Sequence, residues 1–224
     1  MRRKAIYFDS SQWAKLLLNN QVQLMDSQQN HFEKVLRKTN YAFTALSGKG
    51  QIIEGIVLNN SFIAKSGIKT IEKDLKVSVF IGIVKRKAAE FIIQKLSEIG
   101  VSEIIFFKAD NSEQNLFDLD RLQTIAINAC EQSFNPYLPV IHHIERQLDQ
   151  LSINADAVYY GDIDSKNKLE STKKNEISLI IGPEGGWSTS ELLWLKNNFR
   201  GVSFSTNVLR VETAAIVASG ILLS

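Results

Sequence analysis

From Val77 onward the sequence alternates continuous apolar runs with amphipathic stretches, a pattern that few folds accommodate. Val77 to Val84 is apolar apart from Ser78 and Gly82, as in a strand covered on both faces. Ala88, Ala89, Ile92, Leu96 and Ile99 then recur at helical spacing, with Gly100 as a stop. Glu103 to Phe107 reads as a strand and Leu116 to about Ser133 as a helix. Ala157 to Tyr160 and Ile177 to Ile181 read as strands, and Ser188 to Asn198 as a helix opened by a capping box of Ser188 and Glu191. A strand over Val202 to Phe204 and a helix from Glu212 to about Leu223 complete the series. Strand and helix in such alternation predict an α/β fold built on a parallel sheet.

The earlier part of the chain follows a different pattern. Ala5 to Phe8, Val22 to Met25, Tyr41 to Leu46 and Gln51 to Leu58 read as strands, the last two joined through Ser47-Gly48-Lys49-Gly50, a hairpin signature. One helix is expected from His31 to about Arg37. Between Ser61 and Lys76, polar and charged residues interrupt the apolar pattern. This predicts a domain over residues 1–70, a small barrel or sandwich, and a second over 75–224.

Hydrophobic residues make up 44% and charged residues 22%, which excludes bulk disorder. The net charge of +2 leaves any nucleic-acid affinity to local patches. Arg2-Arg3-Lys4 and Lys85-Arg86-Lys87 are two such clusters, each readable as a solvated turn or as a phosphate contact. Cys130 is the sole cysteine, so no intrachain disulfide can form, in keeping with a reducing compartment. No signal-peptide core follows the first residues, and no apolar run reaches the roughly 18 residues that span a bilayer. A soluble, cytoplasmic protein with no membrane partner is expected. His31, His142 and His143 have no metal-ligand spacing, so no metal is expected. The dinucleotide fingerprint, the P-loop and the serine-hydrolase elbow are all absent.

Three segments carry chemistry. Gly182-Pro183-Glu184-Gly185-Gly186 directly follows an apolar strand, where α/β sheets bind ligands and where glycines let backbone groups approach them. Asn207-Val208-Leu209-Arg210-Val211-Glu212-Thr213-Ala214-Ala215 joins a strand to the final helix. It puts Arg210, Glu212 and Thr213 at a helix start, where free amides favour anions, though a salt-bridged cap has the same composition. Glu131-Gln132-Ser133 runs into Leu138-Pro139. Trp187, beside the glycine turn, is placed to stack on a base or to pack.

Together these segments resemble the RsmE family of SPOUT-class enzymes, which methylate N3 of a uridine in small-subunit (16S) ribosomal RNA. His31-x-x-x-Val35-Leu36-Arg37 and Lys95-x-x-Glu98-Ile99-Gly100-Val101 resemble further motifs in the family's order, so the resemblance runs almost end to end. The chain departs from the pattern at Asn40, at Asn135 and over residues 111–115. The resemblance implies a C-terminal α/β methyltransferase domain with a trefoil knot, preceded by a PUA-like RNA-binding β-barrel. It implies S-adenosylmethionine held by Tyr160, Gly161, Gly182, Pro183, Glu184, Gly185, Gly186, Asn207, Leu209, Arg210, Thr213 and Ala214. Arg210 and Glu212 are the catalytic candidates. Arg2, Arg3, Arg37, Lys38, Lys85 and Arg86 are the candidate RNA contacts. The implied partners are small-subunit ribosomal RNA, in the assembled subunit, and a second copy of the chain in a homodimer. A SPOUT ribose 2′-O-methyltransferase and a non-catalytic RNA-binding assembly factor are the competing readings.

Overall fold

The computed structural model describes residues 4–29, 42–114, 116–171 and 173–224. The helix expected from His31 to Arg37 and the candidate contacts Arg2, Arg3, Arg37 and Lys38 lie outside them. Contacts divide the chain into two compact units. One holds the residues up to Glu72 together with Cys130–Leu138; the other holds Lys73–Ala129 and Pro139–Ser224.

In the first unit, β1 (Lys4–Tyr7) runs parallel to β3 (Ala42–Leu46), which forms an antiparallel hairpin with β4 (Gln51–Leu58). The turn is closed by Gly48 and Gly50, both at positive φ. The sheet continues through β5 (Ser61–Ala64) to β2 (Gln21–Gln23), and β6 (Lys69–Thr70) adds to β4. Its core is Ile6, Phe8, Trp13, Leu16, Val22, Phe43, Ile53 and Phe62, with Phe8 and Phe62 edge to face at 5.4 Å. Two features differ from expectation. A helix, α1 (Ser10–Asn19), fills a stretch with no expected element; Asp9 caps it by accepting from the Gln12 amide at 2.8 Å. Its buried face is only Gln12, Trp13 and Leu16, while Leu17 and Leu18 are exposed and blur the period. Strands β5 and β6 occupy the region read as a break, because both are short and flanked by polar residues.

The segment Cys130–Leu138 joins this unit through named bonds. The Tyr7 amide donates to Glu131 Oε1 at 2.8 Å, the Gly50 amide to the Pro136 carbonyl at 2.9 Å, and the Tyr137 hydroxyl to the Ile71 carbonyl at 2.6 Å. Burial pushes the Glu131 carboxyl up to about 7, against the opposing pull of the Tyr7 amide. A raised carboxyl favours the folded state while it is protonated. Its contribution is full below the ordinary value of 4.5 and is lost as pH rises through about 7. Glu131→Gln is therefore expected to melt at the same temperature as the parent in acid and higher above neutrality, with a ceiling of about 3 kcal/mol. Thermal melts across pH check this; parallel curves for the two proteins would contradict it.

The second unit is an all-parallel sheet in the order β12-β10-β11-β7-β8-β9. Its strands are β7 (Lys76–Gly82), β8 (Glu103–Phe107), β9 (Val140–Ile144), β10 (Ala157–Gly161), β11 (Glu176–Ile181) and β12 (Arg200–Val202). The central strands β7 and β11 are buried nearly throughout, which is why they read as continuous apolar runs. Helices α2 (Arg86–Ile99) and α5 (Val211–Leu223) pack on each other; α2 buries Ala89, Ile92, Ile93 and Leu96, and α5 buries Ala214, Ala215 and Ala218. The others are α3 (Leu119–Ser133) and α4 (Thr189–Asn198), the latter opened by the expected capping box of Ser188 and Glu191.

Three boundaries shift. Helix α3 starts at Leu119 rather than Leu116, because Asp118 accepts from the Arg121 amide at 3.0 Å and caps it there. Strand β12 covers Arg200–Val202 rather than Val202 to Phe204, since Arg200 and Gly201 pair with Tyr159 and Tyr160. Strand β9 was not expected; it is an edge strand whose His142 and His143 interrupt the apolar pattern. Among the described residues, no helix is long and apolar enough to cross a membrane.

Candidate active site

In the parallel sheet β7 and β11 are neighbours, with β8 beyond one and β10 beyond the other. The chain reverses its direction of travel across the sheet at this point, where α/β folds bind ligands beyond the carboxyl ends of their strands. A cavity of 1050 Å³ opens there, lined by the strand ends Gly161, Ile181 and Val202.

The glycine turn forms one wall. The Gly186 amide donates to the Pro183 carbonyl at 2.9 Å, and Gly186 has φ +74°, a conformation other residues adopt with strain. Asn111 Nδ2 donates to the Gly186 carbonyl at 3.2 Å. Trp187 packs rather than projecting freely. Its Nε1 donates to the Gly161 carbonyl at 3.2 Å, and its ring lies near-parallel to Phe107 at 6.4 Å. The turn lies hard against the neighbouring strand: a Cβ on Gly82 would fall 2.8 Å from Pro183 Cδ and 2.9 Å from its nitrogen.

A second wall follows β10. Tyr160 is buried behind it and hydrogen-bonds Asp162; burial first, then the Asp162 charge, push the phenol pKa up. Asp162 Oδ1 also accepts from the Asp164 amide at 3.0 Å, so the cavity-facing loop Asp162–Asp164 is tied at its start. A third wall is the loop after β12. Ser203 Oγ donates to the Ser205 carbonyl at 2.8 Å, and the Asn207 amide donates to Ser205 Oγ at 3.1 Å. This loop delivers Leu209 and Arg210 to the cavity.

Arg210 is the N-cap residue of α5, with extended backbone and no side-chain capping bond. Its side chain is exposed at the cavity, and Glu212 lines the cavity from the first turn of the helix. Among the described residues no ion pair joins the two, so the salt-bridged cap that the sequence allowed is not formed. Lys85 also lines the cavity, its ammonium 3.8 Å from Glu113 and 3.7 Å from Glu184.

Of the residues singled out from sequence, the cavity gathers Gly161, Gly182, Pro183, Glu184, Gly186, Trp187, Asn207, Leu209, Arg210, Glu212, Ala214, Lys85 and Lys87. Tyr160, Gly185 and Thr213 do not line it: Tyr160 supports the wall from behind, Gly185 lies against Asn111, and Thr213 is exposed on α5. Arg86 points elsewhere and pairs with Glu90 at 3.0 Å. Sequence reasoning missed Phe91, Asp164, Leu192 and Phe204. None stands in a motif, and only the tertiary fold brings them together.

Known proteins resemble the chain at every level. A family profile described as an RNA methyltransferase domain matches residues 71–223. Ribosomal RNA small subunit methyltransferase E of Rickettsia conorii is 28% identical, over 97% of this chain and 94% of that protein. The protein of the same name from Mesomycoplasma hyopneumoniae is 32% identical, over 76% of this chain and 74% of its own length. A crystal structure of a predicted RNA methyltransferase from Thermotoga maritima aligns with a TM-score of 0.74 at 26% identity, covering 98% of this chain and 97% of that one. Ribosomal RNA small subunit methyltransferase E of Neisseria gonorrhoeae, solved with S-adenosyl methionine bound, shares the fold at a TM-score of 0.80 and 24% identity, covering 97% and 95% of the two chains. With an RNA methyltransferase profile over most of its length, and with such relatives over nearly all of it, the chain belongs to the RsmE family of RNA methyltransferases.

Proposed function

We propose that the protein transfers a methyl group from S-adenosylmethionine to N3 of a uridine in small-subunit (16S) ribosomal RNA. The observation that carries the reading is the cavity at the strand ends, walled by the Gly182–Gly186 turn and by the segment that presents Arg210 and Glu212. The residues present fit the cofactor. Ile181, Leu192, Val202 and Phe204 offer apolar surface for a flat heteroaromatic ring, and the glycine turn offers backbone groups at close range. Asp162, Asp164 and Glu212 suit the cationic centres of a sulfonium amino acid. The bound cofactor supplies a methyl group on a good leaving group.

The chain's own residues then have two tasks. The walls hold the reacting atoms in line and exclude water, which removes the entropic cost of bringing them together during the reaction. Uracil N3 carries a proton and must lose it to become nucleophilic. Arg210, with no carboxylate partner among the described residues, stabilises the negative charge that develops on the uracil. Glu212 takes the proton or orients Arg210. In this reading the N-terminal unit is a PUA-like RNA-binding barrel, and the C-terminal unit is a SPOUT domain with a trefoil knot. The working form is a cytoplasmic homodimer that acts on the assembled subunit. Arg2, Arg3, Arg37, Lys38, Lys85 and Arg86 contact phosphates.

The test is transfer of labelled methyl groups from S-adenosylmethionine to small ribosomal subunits lacking the modification, with large subunits as the control. Label is expected in small-subunit RNA alone. Label in neither, with the cofactor bound, would overturn the reading.

A further inference from the structure

The outer face of α2 carries an aromatic ring that the cofactor reading does not use. Phe91 is 44% exposed and stands on the cavity wall. A single exposed aromatic is ordinary; its surroundings are what distinguish it. Lys87 and Lys95 lie four residues to either side, so the three side chains form one stripe along the helix. The Lys95 ammonium sits 5.9 Å from the Phe91 ring centre and is held by both Glu98 oxygens, at 2.8 and 3.0 Å. Beside the stripe, Glu90 holds two guanidinium groups: Arg86 through Nε at 3.0 Å, and Arg121 of α3 through Nε at 2.6 Å and Nη2 at 3.0 Å. The two arginines, Arg121 foremost, keep the Glu90 carboxyl well below its usual range, at about 2. Glu90 occupies only part of each guanidinium, and the remaining N–H groups are left to donate elsewhere.

We propose that this face of α2 seats a single-stranded stretch of RNA at the mouth of the cavity, with one base stacked on Phe91. Its phosphates lie on Lys87 and on the Arg86–Arg121 pair, and Glu90 is the positioning residue that fixes both guanidiniums. The proposal rests on the RNA-methyltransferase reading above. It follows from the chemistry of the patch: an aromatic face accepts any base, and cations around it meet a polyanion. A neutral protein partner would have to desolvate the same cations without compensation.

The test is steady-state methyl transfer to small subunits over a series of salt concentrations. Phe91→Leu, which keeps bulk but removes the ring, is expected to raise KM for RNA about ten-fold, and Phe91→Tyr to restore it. Arg121→Ala is expected to flatten the slope of log affinity against log salt by about 0.7. Glu90→Ala is expected to weaken RNA binding even though it removes a negative charge, which simple charge counting would not give. The inference is overturned if Leu and Tyr at position 91 behave alike, or if Phe91→Leu acts only through cofactor affinity. It is equally overturned if Phe91→Leu dissociates a protein assembly while KM for RNA stays intact. If the unaltered protein transfers no methyl group, the proposed function itself fails. If it does, and the variants match it, this inference alone fails.

Discussion

Arg210→Ala is expected to lower kcat for methyl transfer roughly a hundred- to a thousand-fold, the loss typical of removing one donor aimed at a developing negative charge. Arg210 stands at the start of α5 with no capping bond of its own, and among the described residues it has no carboxylate partner. Its charge is thus available to a substrate in the cavity it lines. Arg210→Lys keeps the charge and loses the planar fork, so an intermediate rate is expected. Single-turnover transfer at saturating cofactor, with cofactor affinity measured separately, isolates the effect. A change confined to cofactor affinity or to KM would make Arg210 a binding residue and remove it from the chemistry.

Gly82→Val is expected to have the largest effect on binding, although Gly82 does not itself line the cavity. A Cβ at this position would meet Pro183 Cδ at 2.8 Å, its nitrogen at 2.9 Å and its Cβ at 3.0 Å. These are ring and backbone atoms, which cannot swing aside as a flexible side chain does. Either β7 or the Pro183–Gly186 turn has to shift, and the turn is the cavity wall. Overpacking of this kind costs about 1–3 kcal/mol of stability. Cofactor affinity, measured by calorimetry, is expected to fall at least about ten-fold, because a shift of about 1 Å in a preorganised site is enough for such losses. A variant that melts lower yet binds S-adenosylmethionine as the parent does would show that the wall does not contact the cofactor.

The parallel sheet was legible because its central strands are buried on both faces, so Val77 to Val84 and Ile177 to Ile181 are apolar at all but a few positions. The capping box at Ser188 and Glu191 was legible for a similarly local reason: both halves lie within one turn. Elements on the margin were not. Helix α1 buries three residues and exposes Leu17 and Leu18, and β9 is an edge strand bearing two histidines. The attachment of Cys130–Leu138 to the N-terminal unit rests on bonds such as Tyr7 to Glu131, which no local pattern announces. The site divides in the same way. The glycine turn and the Asn207–Ala214 segment are contiguous motifs and could be read directly. Phe91, Asp164, Leu192 and Phe204 reach the cavity from separate elements and could not. Tyr160 and Gly185 fall within motif-bearing stretches but face away from the cavity; sequence spacing does not settle which side of a strand end or turn faces a ligand.

The identity of the product nucleoside decides whether the methyl group reaches uridine N3. Small subunits from cells lacking the protein would be incubated with it and S-adenosylmethionine, digested to nucleosides and resolved by mass spectrometry. The expected product is 3-methyluridine with the unaltered protein, with a large deficit for Arg210→Ala. A 2′-O-methylated nucleoside, or no new methylated nucleoside from protein that binds both cofactor and subunit, would contradict it.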